Sequence, residues 1–178
     1  TEMTELVGIL NITPDSFSDG GLYDKPSDAI ARAAELFQQG ASIVDIGAES
    51  TRPQAVPLSA DEEWQRLEPV LLPLMDMFPN KLSLDSYHPE NIERALRRGP
   101  VIVNDITGMN NQSMVDVVLR YKPMVIVSHL PGLLVQAAHQ TTPVHDVSQV
   151  SHDLLARARA LEAGGLQRDK IILDPGIG

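Results

Sequence analysis

Six short apolar runs recur along the chain: LVGILNI at 6–12, SIVDIGA at 42–48, KLSLDS at 81–86, VIVNDI at 101–106, MVIVSH at 124–129 and KIILDPG at 170–176. They are rich in Val, Ile and Leu and do not alternate with polar residues, which is the pattern of strands buried on both faces. Between them, apolar residues recur at helical spacing. Over 28–39, Ile30, Ala33, Ala34 and Phe37 share one face, and Gly40 supplies a C-terminal stop. Ser59 followed by Glu62 forms a capping box, opening a helix whose apolar face holds Leu67, Val70, Leu71 and Leu74. Pro69 and Pro73 are expected to kink or split that helix, because proline has no N–H and its ring clashes with the preceding turn. Pro89 fits a first helical turn, with the helix running to Gly99. Residues 112–121 and 148–163 read as two more amphipathic helices.

Strand–helix alternation implies parallel strands joined by right-handed crossovers. No linker, low-complexity tract or charge run divides the chain, so residues 1–178 read as one domain. Two architectures remain, a doubly wound sheet and a (β/α)8 barrel. No Gly-x-Gly-x-x-Gly follows the first run, so a dinucleotide fold lacks its main signal. Every run ends in polar residues: Asn11; Asp45 and Glu49; Asp85; Asn104 and Asp105; His129; Asp174. In a barrel all these ends converge on one face. In an open sheet only those near the switch point meet.

Composition then works by exclusion. A hydrophobic content of 43% and a charged content of 21% are ordinary for a globular protein. No apolar run nears the ~20 residues that span a bilayer, and no basic-then-apolar leader opens the chain. The absence of cysteine removes disulfides, Cys-ligated zinc and thiol catalysis, and fits a cytoplasmic protein. With 14 basic against 24 acidic side chains, the net charge is -10. That argues against nucleic acid as a partner, and no membrane partner is expected. An anionic substrate would need a metal ion, an arginine or backbone N–H groups close by.

Asp85, Asn104 and Asp174 each end an apolar run directly. Taken singly, such a residue is as well explained as an Asx cap on the next turn. Three at comparable depth can instead read a flat heterocycle with amino and amide edges, since carboxylates accept hydrogen bonds and an Asn amide both accepts and donates. Asn11 carries a hard oxygen suited to Mg²⁺, although an Asn also simply starts turns. In ESTRP at 49–53, Arg52 can take an anion bidentately or be merely solvated. His129 fits a base, a metal ligand or a structural histidine, and His139, His145 and His152 read as surface. The loop NITPDSFSDGG at 11–21 is long and polar for a strand–helix link, yet it carries Phe17.

GILNITPDSFSDGG (8–21), DIGAESTRP (45–53), LDS (84–86), VNDITG (103–108) and ILDPGIG (172–178) together resemble the ordered signature blocks of the dihydropteroate synthase family, over the whole chain. The resemblance implies a TIM (β/α)8 barrel of α/β class, here an incomplete barrel of about six parallel strands. It implies a transferase of folate biosynthesis that joins 6-hydroxymethyl-7,8-dihydropterin diphosphate to p-aminobenzoate with Mg²⁺ and releases pyrophosphate. By the same match Asn11 is the metal ligand. Pro14 and Phe17 wall the aminobenzoate pocket, and Asp15 sits near the metal and the departing diphosphate. Thr51 and Arg52 contact the diphosphate end, with Asp15 and Arg52 taken as catalytic. Asp85, Asn104 and Asp174 bind the pterin. The loops at 13–24 and 50–58 are expected to be poorly ordered lids, and 130–147 to be mobile. A homodimer is the expected assembly.

The sequence also departs from the family. Gln54 stands where glycine is usual, and SHLPG at 128–132 replaces a Met-His-Met pattern, leaving Leu130 to pack on the pterin. The family's Ser-Arg-Lys and Arg-x-His blocks are not among the 178 residues, so this stretch alone is expected to be inactive. The competing readings are a pterin-binding methyltransferase domain, disfavoured by the TPDSFSDGG loop, and a non-catalytic pterin-binding module.

Overall fold

The computed structural model describes residues 6–12, 26–48, 56–105, 109, 111–128 and 147–174. In chain order the elements are β1 (Val7–Asn11), α1 (Pro26–Gln38), β2 (Ile43–Gly47), α2 (Ala60–Met77), β3 (Leu82–Asp85), α3 (Pro89–Arg98), β4 (Ile102–Asp105), α4 (Gln112–Tyr121), β5 (Val125–Ser128), α5 (Val147–Ala163), a 3-10 turn (Arg168–Lys170) and β6 (Ile171–Asp174). Each strand is shorter than its apolar run by one or two residues at each end.

The strands form one parallel sheet in the order β1-β2-β3-β4-β5-β6. A doubly wound sheet reverses its order at a switch point. This one does not reverse, so the (β/α) barrel type fits and the doubly wound alternative falls. Among the described residues β1 and β6 are the two edges of an open sheet.

Unreversed order with right-handed crossovers brings the helices to one face. Leu10, Val44, Ile46, Leu82, Leu84, Val103, Val125 and Val127 are buried there with Leu67, Leu71, Ile92, Ala95, Met114 and Leu161 from the helices. Gly8 shows how close the layers lie: a Cβ at that position would stand 3.3 Å from the Leu36 side chain of α1. The residues that alternate with this set form the other face, where Val7 and Ile9 of β1 are 50% and 66% exposed.

Helix α2 starts at the predicted cap. The Glu62 N–H donates to Ser59 Oγ at 3.2 Å, and the Ser59 hydroxyl donates to Glu62 Oε1 at 3.1 Å. Of the kink or split expected at Pro69 and Pro73, the split does not occur: the helix runs as one element of 18 residues. Burial explains the difference. Leu67, Val70, Leu71 and Leu74 are all at or below 1% exposure. Each such burial stabilises by roughly 1.5–3 kcal/mol, so together, at about 6–12 kcal/mol, they match or exceed two interior prolines at about 3 kcal/mol each. Pro26 and Pro89, by contrast, sit in first turns, where the missing N–H would have no partner in any case. Asn111 caps α4 through the Ser113 N–H at 2.9 Å. Among the described residues no helix is long and apolar enough to cross a membrane.

Candidate active site

Parallel pairing carries one level of side chains across the sheet. Asn11 lies opposite Gly47, Gly47 opposite Asp85, Asp85 opposite Asn104, and Asn104 opposite Ile126. Paired residues of neighbouring strands point to the same face. So Asn11, Asp85 and Asn104 stand together at the C-terminal ends of their strands, on the face away from the helices. The gap between the first two is the bare backbone of Gly47. A Cβ there would meet Asp85 Oδ2 at 3.5 Å and Asn11 Oδ1 at 3.8 Å. Two hard oxygens therefore flank an opening that any side chain at 47 would begin to fill.

Two residues earlier on the same face lie Asp45 and Ser83, again directly paired. The Ser83 hydroxyl donates to Asp45 Oδ1 in a short hydrogen bond. Asn104 Nδ2 donates to the same oxygen at 3.3 Å, reaching back one level and across β3. Burial pushes the Asp45 carboxyl above its usual range, and the two donors partly offset that rise.

The chain leaving β3 is tied to the start of α2 by a buried polar cluster. Glu63, Ser86 and Asn91 are 1%, 2% and 0% exposed. Glu63 Oε1 accepts from Ser86 Oγ at 2.5 Å and from Asn91 Nδ2 at 3.0 Å. Asn91 Nδ2 also donates to the Ala60 carbonyl at 2.8 Å, and the His88 N–H donates to Ser86 Oγ at 3.1 Å. The residue that follows Asp85 is thus fixed by a group on another helix.

Of the residues expected at the site, the structure brings Asn11, Asp85 and Asn104 together. Asp174 is placed by register alone. It pairs with Ser128, two residues beyond the Ile126–Ile172 pair that continues the Asn104 level. Pro14, Asp15, Phe17, Glu49, Thr51, Arg52, Gln54, His129, Leu130, His139 and His145 lie outside the described residues, as do 13–25, 49–55 and 129–146. The His152 side chain is likewise not described. Asp105 takes the ordinary role: it is fully buried and accepts the Met109 N–H at 3.2 Å.

Sequence reasoning missed the supporting residues. Asp45 stood out as a polar group at a strand end but was given no role, and Ser83 was read as part of an apolar run. Glu63 carried a usable signal. It falls four residues before Leu67 on the stripe of Val70, Leu71 and Leu74, and an acid on an apolar stripe needs a buried partner.

The described residues bear on whether a cation could be held here. They include no group of three or more His, Asp or Glu side chains placed to hold a metal. Mg²⁺ does not require one, since it usually keeps several waters and takes one or two protein oxygens plus substrate phosphates. The exposed amide oxygen of Asn11 at the open end of β1 fits that demand.

Residues 7–178 match a family model described as "Pterin binding enzyme". The chain belongs to this pterin-binding enzyme family. Its curated relatives include the dihydropteroate synthase of Staphylococcus haemolyticus, 38% identical over 98% of this chain and 63% of that protein. A solved dihydropteroate synthase of Xanthomonas albilineans with 4-aminobenzoic acid matches 99% of this chain and 63% of its own, at 33% identity and a TM-score of 0.85. The enzyme from Anaplasma phagocytophilum with bound 6-hydroxymethylpterin-monophosphate matches 98% of this chain and 68% of its own, at 35% identity and a TM-score of 0.80. The chain thus spans a little under two thirds of the length of the curated dihydropteroate synthase from S. haemolyticus, at 63%.

Proposed function

We propose that this chain is the pterin-binding part of a dihydropteroate synthase of folate biosynthesis, a transferase joining 6-hydroxymethyl-7,8-dihydropterin diphosphate to p-aminobenzoate. The observation that carries the reading is the single level of Asn11, Asp85 and Asn104 around the bare backbone of Gly47. Asp85 and Asn104 offer acceptors and a donor to the edge of a flat heterocycle. Asp174, farther along the same sheet, would complete the set.

In the reaction the bond from the pterin methylene carbon to the diphosphate oxygen breaks, and pyrophosphate leaves with the electron pair. The aryl amine of p-aminobenzoate forms the new C–N bond and gives up a proton. Cationic character grows at the methylene carbon as the leaving group departs. Carboxylates held near the ring, Asp85 first among them, favour that charge. Asn11 would hold Mg²⁺, which when bound draws charge from the leaving diphosphate. The resemblance assigns Arg52 and Thr51 to the diphosphate end, Asp15 to the metal side, and Pro14 and Phe17 to the aminobenzoate wall. Closure of their loops would keep water from the methylene carbon. A cytoplasmic homodimer completes the reading.

Calorimetry on the full-length protein tests it. Pterin alone should bind with or without Mg²⁺, while the pterin diphosphate should bind more tightly with Mg²⁺, and p-aminobenzoate should then release pyrophosphate. Pterin binding with no preference for the diphosphate would favour a pterin-dependent methyltransferase. Binding of both without pyrophosphate release would favour a non-catalytic module. No binding of pterin at all would overturn the proposal.

A further inference from the structure

We infer that Asp45 is a positioning residue for recognition of the heterocycle, acting through Asn104, and that Ser83 holds it in place. This deepens the pterin-site reading and rests on it.

An Asn side chain has two ends of nearly the same shape, one an acceptor and the other a donor. Turned the wrong way, it presents a donor where the ligand needs an acceptor. Something must therefore fix the amide before the ligand arrives if recognition is to be sharp. At Asn104 the group that does so is Asp45. A carboxylate only accepts, so only the Nδ2 end of the amide can face it, and Asn104 Nδ2 lies 3.3 Å from Asp45 Oδ1. Turning the amide over would bring its oxygen against the carboxylate and lose a charge-assisted bond.

Asp45 is itself fixed from the side. Ser83 is fully buried, and its hydroxyl donates to the same Asp45 oxygen. The direct pairing of Asp45 with Ser83 on adjacent strands makes this contact a product of sheet register rather than of a mobile loop. The order of donor and acceptor along the Asn104 amide is thus set from one level below the site, by residues that need not touch the ligand.

The test uses the full-length protein, 6-hydroxymethylpterin monophosphate as the probe, and isothermal calorimetry. Asp45→Ala should weaken binding about tenfold, the scale of a lost hydrogen bond to a charged group. Asp45→Asn, which can return an acceptor to the same place, should recover to within about threefold of the original protein. In an Asn104→Ala background, Asp45→Ala should have no further effect, whereas in an Asp85→Asn background its effect should persist. In heteronuclear NMR, the Asn104 side-chain amide should exchange slowly with solvent and lose that protection in Asp45→Ala. Ser83→Ala should reproduce a milder form of both changes if Asp45→Ala proves too unstable to purify. Unchanged affinity in Asp45→Ala, or a full loss still seen in the Asn104→Ala background, overturns this inference while leaving the pterin site standing. Failure of the original protein to bind the probe overturns the pterin reading and this inference with it.

Discussion

Replacing Glu63 with alanine should cost both stability and ligand affinity, through one cluster. Glu63 is 1% exposed and takes hydrogen bonds from Ser86 and Asn91. Asn91 keeps the Ala60 carbonyl as an acceptor. The Ser86 hydroxyl, 2% exposed, loses the carboxylate it donates to. A buried donor left without a partner costs about 1–3 kcal/mol. The one methylene removed from the packed interior adds about 0.8 kcal/mol. Together the loss is about 2–4 kcal/mol, which for a protein of this size lowers Tm by roughly 4–15 °C. Scanning calorimetry measures that drop. Glu63→Gln, which keeps an accepting oxygen of the same reach, should lose far less. Because Ser86 directly follows Asp85, pterin affinity should fall in Glu63→Ala even at temperatures where the variant is folded. A Tm within ~2 °C of the original protein, with unchanged affinity, would refute the view that this cluster fixes the end of β3.

Asp85→Asn should weaken pterin binding by at least about tenfold with little change in Tm, since a charge-assisted bond is worth ~1.5–3 kcal/mol; equal affinity in calorimetry would remove Asp85 from the site. Gly47→Val should fold yet lose binding of the pterin diphosphate, because its methyl groups would occupy the space between Asp85 Oδ2 and Asn11 Oδ1; retained binding would mean the opening is not used. Burial raises the Asp45 carboxyl in the folded state, so the stability it contributes is fully present below the unfolded value near 3.9 and is lost as pH rises through the higher folded one. The Tm of Asp45→Asn relative to the original protein should therefore climb from about pH 4 toward neutrality, and a pH-independent difference would contradict this. Residues 1–178 expressed alone should turn over no substrate and should self-associate through the exposed Val7 and Ile9 side of β1; a monomer in sedimentation would sink the association, and pyrophosphate release would sink the loss of activity.

The strands were legible because each is a short run dense in Val, Ile and Leu bounded by polar residues, although one face of β1 is exposed at Val7 and Ile9. The order of the strands was not. Run lengths are the same in a barrel and in a doubly wound sheet, and only pairing separates them. Asp85 and Asn104 could be picked out because each closes its run with a polar group. Asp45 could not be linked to Asn104, because the link crosses β3 and one level of register. Ser83 hid inside KLSLDS, where one small hydroxyl among leucines looks like filler. That α2 continues as one element through its two prolines was not legible for a related reason. Proline's cost is local and visible in sequence, whereas the burial that offsets it belongs to the packed helix.

The unreversed sheet also bears on how the chain acquires its shape. Among the described residues each strand pairs with the one made just before it. Loop-closure entropy is therefore met one crossover at a time, each crossover being a non-local pairing such as that of Val7 with Ile43. A chain leaving the ribosome can lay β2 against β1 before β3 exists, and so on in turn. Asn104 meets Asp45 only once β4 has docked, so the recognition level is assembled by the fourth strand and is not inherited from any earlier unit. Until the fourth strand docks, the chain lacks the Asn104–Asp45 contact and cannot present this level to a pterin.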